Sequence, residues 1–236
     1  MNSDPIQELA RWALTCVNHP LALPDEHTCA DQLAKLRFPQ GVVCCPGVAP
    51  RRESARVWRC TVCWRRISLT ADTLLERTRV PLRIWLAAAW YIGRSPSGIA
   101  ALRFQQIYGL PSYGTVWALF HSIRALLTPT TTSTLECARS VASAIITGRG
   151  LRRNRAALTL AVGPGRLRFR VHAHSRALRG PRTHAARVLI ESFATWIAGT
   201  FHGVSGAYLP LYAAEFFARW SGDDVVIALA RCALAA

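Results

Sequence analysis

Four cysteines between residues 44 and 63 place the strongest constraint on how this chain folds. Cys60-Thr61-Val62-Cys63 has the spacing of one half of a zinc knuckle. Two such pairs, about 15 residues apart, make a zinc ribbon because four thiolates satisfy tetrahedral zinc. The upstream half reads Cys45-Pro46-Gly47-Val48, so a valine stands where the second cysteine of the pair is expected.

The fourth ligand of such a site has two candidates. Cys44 directly precedes Cys45, and neighbouring cysteines chelate one ion awkwardly, whereas Cys29 is more distant in sequence. No histidine lies between residues 28 and 120 to complete the set. The residues allow a zinc site formed by Cys44, Cys45, Cys60 and Cys63, although the ligand set of the ribbon is incomplete. The alternative is a ribbon-shaped fold whose leftover cysteines hold no metal.

The charge of the chain indicates a polyanionic partner. Its formal net charge is +16, and Lys35 is the only lysine, so arginine carries nearly all of the positive charge. Arginine displaces counterions from phosphates and matches phosphate and guanine edges with a planar fork, which favours DNA as the partner. Strongly basic chains can also be ribosomal. Half of the residues are hydrophobic, which is enough for a folded core.

The sequence indicates neither a membrane-spanning segment nor a secretion signal. The longest apolar run, residues 84–92, is far too short to cross a bilayer. The N-terminal residues include Asp4 and Glu8 and no apolar core, which argues against a secretory signal. We therefore expect a cytoplasmic protein, in which closely spaced cysteines bind metal rather than form disulfides.

Turn residues and periodicity predict an α+β chain in five segments. These are residues 1–42 (N-terminal helices), 43–80 (a zinc-ribbon-like module), 81–128 (a helix-turn-helix region), 135–222 (strands and helices) and 223–236 (a tail). The predicted helices are 5–19, 25–37, 82–91, 97–106, 113–127, 183–198 and 207–220. The predicted strands are 141–147, 157–162 and 166–171.

The helix, short turn and helix between residues 97 and 127 have the layout of a helix-turn-helix. Hydroxyl groups at the start of the third helix of the region can donate to phosphate, assisted by the positive end of the helix. The candidate DNA contacts are Arg94, Arg103, Ser112, Tyr113, Thr115, His121 and Arg124. The alternative is an ordinary three-helix bundle with Tyr113 and Trp117 in its core.

Several segments resemble one family. They are residues 58–73 and 77–85, Ser112-Tyr-Gly-Thr-Val-Trp117, and Trp196-Ile-Ala-Gly-Thr-Phe-His-Gly-Val-Ser205. Together they are similar to bacterial insertion-sequence transposases built from a zinc ribbon, a helix-turn-helix and an RNase H-like DDE core. The resemblance spans about residues 25–220. The resemblance implies a role in DNA transposition, with binding to the terminal repeats of an element and association with the nucleoid. It also implies that residues 135–222 form a reduced RNase H-like domain, and it is compatible with a homo-oligomer.

The resemblance also implies that the catalytic metal ligands are missing. Such enzymes hold two Mg²⁺ ions with acidic residues. The family positions fall on Ser143 and Ala144, and on Ser192, and the segment for the second aspartate is missing. We therefore expect a DNA-binding homologue without catalysis or bound Mg²⁺. A working enzyme that uses Glu136 and Glu191, and a regulator of transposition, are the alternatives.

Overall fold

The computed structural model describes residues 23–95, 97–127, 140–146, 156–163, 166–173 and 184–221. Its helices are α1 (Glu26–Arg37), α2 (Leu82–Arg94), α3 (Ala101–Tyr108), α4 (Tyr113–Leu126), α5 (His184–Phe201) and α6 (Leu209–Ser221). Its strands are β1 (Arg51–Ser54), β2 (Val57–Arg59), β3 (Arg66–Ser68), β4 (Ser140–Ile146), β5 (Ala156–Gly163) and β6 (Arg166–Ala173). The chain is of the mixed α+β class, as the sequence predicts. No described helix combines the length and hydropathy that crossing a membrane requires.

The described residues form two compact units, 23–91 and 92–221, and the boundary falls within α2. Each unit contains one antiparallel sheet of three strands, in the order β1-β2-β3 and β4-β5-β6. The predicted helix 5–19, the linker after residue 127 and the tail 223–236 lie outside the described residues.

In the first unit, α1 is anchored by its own first turn. Asp25 is the N-cap and accepts from the backbone N–H of Thr28 at 2.9 Å, and this bond lowers the pKa of the Asp25 carboxyl. The helix then buries Cys29, Ala30 and Leu33. The predicted start near residue 25 is confirmed, because the capping signal is local in sequence.

Glu26 connects three elements of that unit. Its Oε1 accepts from Nε of Arg56 at 2.8 Å, and its Oε2 accepts from the backbone N–H of Leu82 at 2.8 Å. The guanidinium of Arg56 also donates to the carbonyls of Thr78 and Val80. One carboxylate thus satisfies an otherwise unpaired N–H at the start of α2 and joins that start to α1 and to the turn between β1 and β2, which contains Arg56.

In the second unit, α3 begins later than the predicted residue 97. Gly98 adopts a left-handed backbone with φ of 73°, and its carbonyl accepts from the hydroxyls of Ser95 and Ser97. The carbonyl of Ser97 accepts from Nε1 of Trp196 at 2.9 Å and from Oγ1 of Thr200 at 2.7 Å. Because these bonds hold residues 97–98 against α5 in a loop, the helix starts only at Ala101.

The turn between α3 and α4 forms as predicted. Gly109 ends α3 in the left-handed region with φ of 60°, and the backbone N–H of Leu110 donates to the carbonyl of Gln105. Ser112 caps α4 by accepting from the backbone N–H of Thr115. Phe104 of α3 packs edge-on against Phe120 of α4, with ring centroids 5.0 Å apart.

A buried ion cluster joins α4 to α6. Arg124 of α4 is 1% exposed, and Glu215 of α6 is fully buried. Nε of Arg124 donates to Oε2 of Glu215 at 2.6 Å, and Arg219 donates to Oε1 at 2.6 Å. The guanidinium of Arg124 also lies 4.0 Å from the ring centroid of Tyr212. Helices α3 and α4 therefore share their core with the C-terminal helices and do not form a separate module.

We expect Glu215→Leu to lower the free energy of unfolding by about 3–5 kcal/mol, because it leaves two buried guanidinium groups without their carboxylate. Arg124→Met should cost less, since Glu215 keeps Arg219 as a partner. Urea unfolding followed by circular dichroism measures both values. Glu191→Gln, at an exposed position of α5, is the control. Equal losses for all three variants would contradict the assignment.

Candidate metal centre and nucleic-acid interface

The structure brings Cys44, Cys45, Cys60 and Cys63 together. Their four sulfur atoms all lie within 4.8 Å of one another, and the sulfurs of Cys44 and Cys63 are 3.4 Å apart. Tetrahedral zinc with bonds of about 2.3 Å requires sulfurs about 3.8 Å apart. The cluster therefore has the composition and spacing to hold a metal ion such as zinc.

Two tight loops position these sulfurs. Cys60 follows β2, and the loop after it closes through two backbone bonds, from Cys60 N–H to the Arg65 carbonyl and from Trp64 N–H to the Cys60 carbonyl. The upstream loop closes from Val48 N–H to the Cys45 carbonyl around Gly47, whose φ of 71° favours glycine. Both loops form without a cysteine at residue 48.

Hydrogen bonds shift the pKa values of three of these thiols in different directions. Backbone N–H groups of Cys63 and Val62 donate to the Cys60 sulfur and lower the pKa of that thiol to about 6. A hydrogen bond with Cys63 raises the pKa of Cys44 to about 12, and one with Cys60 raises that of Cys45. Because the thiolate is the form that binds metal, these backbone donors favour the metal-binding form of Cys60.

Cys29 is not part of the cluster. It lies fully buried in α1, and its sulfur contacts the carbonyl of Pro24 at 3.8 Å. Of the two candidates for the fourth ligand, the structure selects Cys44. Adjacent cysteines can share the site because Cys44 directs its sulfur to Cys63 while Cys45 interacts with Cys60.

Five of the predicted DNA contacts are exposed. Ser112, Tyr113 and Thr115 lie at the solvent-facing start of α4, Arg103 is exposed on α3, and Arg94 is exposed at the end of α2. The backbone N–H groups of the first turn of α4 lie at the same end as these hydroxyls. That end carries the positive partial charge of the helix.

The structure contradicts a DNA contact for the other two. Arg124 is buried and committed to Glu215, so its guanidinium cannot reach a phosphate. His121 is also buried, stacks on Trp117 with ring centroids 3.7 Å apart, and pairs its Nδ1 with the carbonyl of Trp117. Burial lowers the pKa of His121, which favours the uncharged form.

The structure describes some of the positions that the resemblance assigns to catalysis. Ser143 lies in the middle of β4, opposite Thr159 of β5. Ser192 lies on α5 beside the exposed Glu191. Within the described ranges, the four cysteines are the single group of potential metal ligands. Glu136 lies outside them.

Sequence reasoning missed Glu26 and Glu215. Both carboxylates bind guanidinium groups distant in sequence, so spacing alone does not reveal the pairing. A signal did exist for Glu215, because it is the one acidic residue in the otherwise apolar stretch from Leu209 to Phe217. An acid on an apolar helix face needs a buried partner.

Comparisons with known proteins return no relative. No family model, no curated protein and no solved structure matches the chain. The functional conclusion therefore depends on the residues and geometry described above.

We expect protein purified without chelators to carry about one zinc ion per chain, because four thiolates complete a tetrahedral site. Elemental analysis measures the metal. Cys60→Ser should lose most of it, whereas Cys29→Ala should retain it because Cys29 lies outside the cluster. Less than half an equivalent in the wild-type protein would reject a zinc site.

Proposed function

We propose that this chain is a DNA-binding homologue of insertion-sequence transposases that has lost strand-transfer chemistry. The observation that carries the proposal is the exposed start of α4. There Ser112, Tyr113 and Thr115 present donors at a helix N-terminus, and Arg103 adds positive charge from α3. A chain with net charge +16 supplies the long-range attraction that such a surface needs.

The contacts at this surface suit the DNA backbone. Hydroxyl and backbone N–H donors at a helix start bind phosphate oxygens, and these contacts fix orientation without reading sequence. The side chains of Tyr113 and Thr115 are exposed, whereas the apolar face of α4 is buried. That face consists of Val116, Leu119 and Phe120. We infer that the start of α4 faces the DNA and the rest of the helix supports it.

The cysteine cluster supports the same assignment. Its four sulfurs lie close enough to share one ion, and the cluster precedes α3 and α4 in the chain, which is the order of ribbon and helix-turn-helix that the resemblance implies. We propose zinc as its ion. Its role would be structural, because four protein ligands leave no open position for a substrate.

The loss of chemistry follows from the side chains at the family positions. Two-metal strand transfer requires several negatively charged oxygens around the ions. The serines at residues 143 and 192 offer uncharged hydroxyls instead. Glu215 cannot substitute, since both of its oxygens are bound to arginine. The proposed protein therefore retains DNA binding and lacks DNA cleavage, and the two properties need separate tests.

The salt dependence of DNA binding tests the interface. We expect Arg103→Ala and Arg94→Ala each to lower the slope of log affinity against log salt by about 0.9, the value for one lost phosphate contact. Fluorescence anisotropy with a labelled duplex measures the slope. Arg79→Ala removes an exposed arginine outside the helix-turn-helix and is the matched control. The same reduction in all three variants would indicate diffuse attraction and contradict the interface.

Catalysis is tested by plasmid cleavage with Mg²⁺ or Mn²⁺. We expect the purified chain to bind the plasmid and leave it uncut, because the required carboxylates are absent. Strand breaks that disappear in Glu191→Ala or Glu136→Ala would show a working site and overturn this part of the proposal. Glu53→Ala, in the ribbon, serves as the control for loss of an unrelated carboxylate.

A further inference from the structure

The loop between β2 and β3 exposes an apolar tip beside the cysteine cluster. We call residues 61–65 the ribbon tip. Trp64 is 67% exposed and Val62 is 60% exposed, although both are apolar. A tryptophan this accessible is unusual, because its large apolar surface is normally at least partly covered.

Arginines surround the ribbon tip. Arg51, Arg59 and Arg66 pair in register across the three strands, at the end of the sheet that carries the tip. Cross-strand partners point to the same face, so the three form one row. Arg65 adds a fourth guanidinium from the tip itself.

One carboxylate offsets part of this charge. Glu53 pairs with both Arg59 and Arg66. Arg51 and Arg65 have no acidic partner among the described residues. Four arginines and one glutamate leave a local charge of +3 around an exposed indole.

The backbone holds the indole in place. Trp64 has φ of 61°, in the left-handed region that a bulky residue rarely adopts. The bonds from Trp64 N–H to the Cys60 carbonyl and from Cys60 N–H to the Arg65 carbonyl fix this conformation. A side chain whose backbone is already ordered loses less entropy when it binds.

We propose that the ribbon tip binds single-stranded DNA, with Trp64 stacked on an unpaired base and Arg51 and Arg65 on the flanking phosphates; this inference rests on the proposed function. Positive charge selects a polyanion over an apolar protein surface. An aromatic face adds affinity when a base is unstacked and available, without requiring a particular base. The surface is distinct from the start of α4, where exposed hydrogen-bond donors lie beside the phenol ring of Tyr113.

The affinities of the full chain for a short labelled single strand and for the matching duplex test this. We expect Trp64→Ala to weaken single-strand binding by about five-fold or more, the effect of losing one stacked base. Duplex binding should remain unchanged. Trp220→Ala removes a comparably exposed tryptophan, 55% accessible on α6, and should alter neither affinity.

A second variant separates binding from folding. Trp64→Gly should unfold at a temperature equal to or above that of the wild type, because glycine adopts positive φ without strain. Its single-strand affinity should fall as in Trp64→Ala, with zinc content retained. A melting temperature that drops in both variants would mean that Trp64 packs within the protein, which overturns the proposal.

The remaining outcomes are distinguishable. If the wild type binds duplex but Trp64→Ala leaves single-strand affinity intact, the ribbon tip is not the binding surface and the proposed function stands. Equal weakening toward both forms would indicate insertion into a duplex step and reject the unpaired base. A wild type that binds neither form rejects the proposed function itself.

Discussion

The carboxylate of Glu215 holds α4 against α6. It lies fully buried between Arg124 and Arg219, and a buried charge of either sign is tolerable only when its partner is present. Because Arg124 belongs to α4, the helix with the exposed hydroxyls at its start cannot separate from α6 without exposing a buried charge or leaving it without its partner. The same interaction removes Arg124 from the set of residues that could contact DNA.

This dependence affects how a function is assigned to parts of the chain. A regulator made of the ribbon and the helix-turn-helix alone would end near residue 128 and would leave Arg124 without its carboxylate. The loop at residues 97–98 would also lose its bonds to Trp196 and Thr200. The C-terminal helices therefore support the helices to which DNA binding is proposed.

The first unit depends on local constraints of a different kind. Its strands contain only three or four residues, too few to be stable as an isolated sheet. The carboxylate of Glu26 supplies one missing connection, where α1 meets the start of α2, and an ion shared by the four clustered sulfurs would supply a second. With the cysteine loops fixed in this way, Trp64 and its neighbouring arginines occupy defined positions on the surface.

The sequence by itself determined the elements whose signals lie within a few residues: the start of α1 near residue 25, the turn between α3 and α4, the start of α4 near residue 113, and the hairpin of β5 and β6. It also predicted the α+β class and a site at Cys45, Cys60 and Cys63, with Cys44 and Cys29 as the candidates for the fourth ligand. Only the tertiary structure showed that Cys44 rather than Cys29 joins the cluster, that α3 starts at Ala101, and that His121 and Arg124 are buried. These outcomes depend on partners far along the chain, 91 residues away for Arg124 and Glu215. Local propensity and periodicity carry no information about which distant group will reach a buried charge.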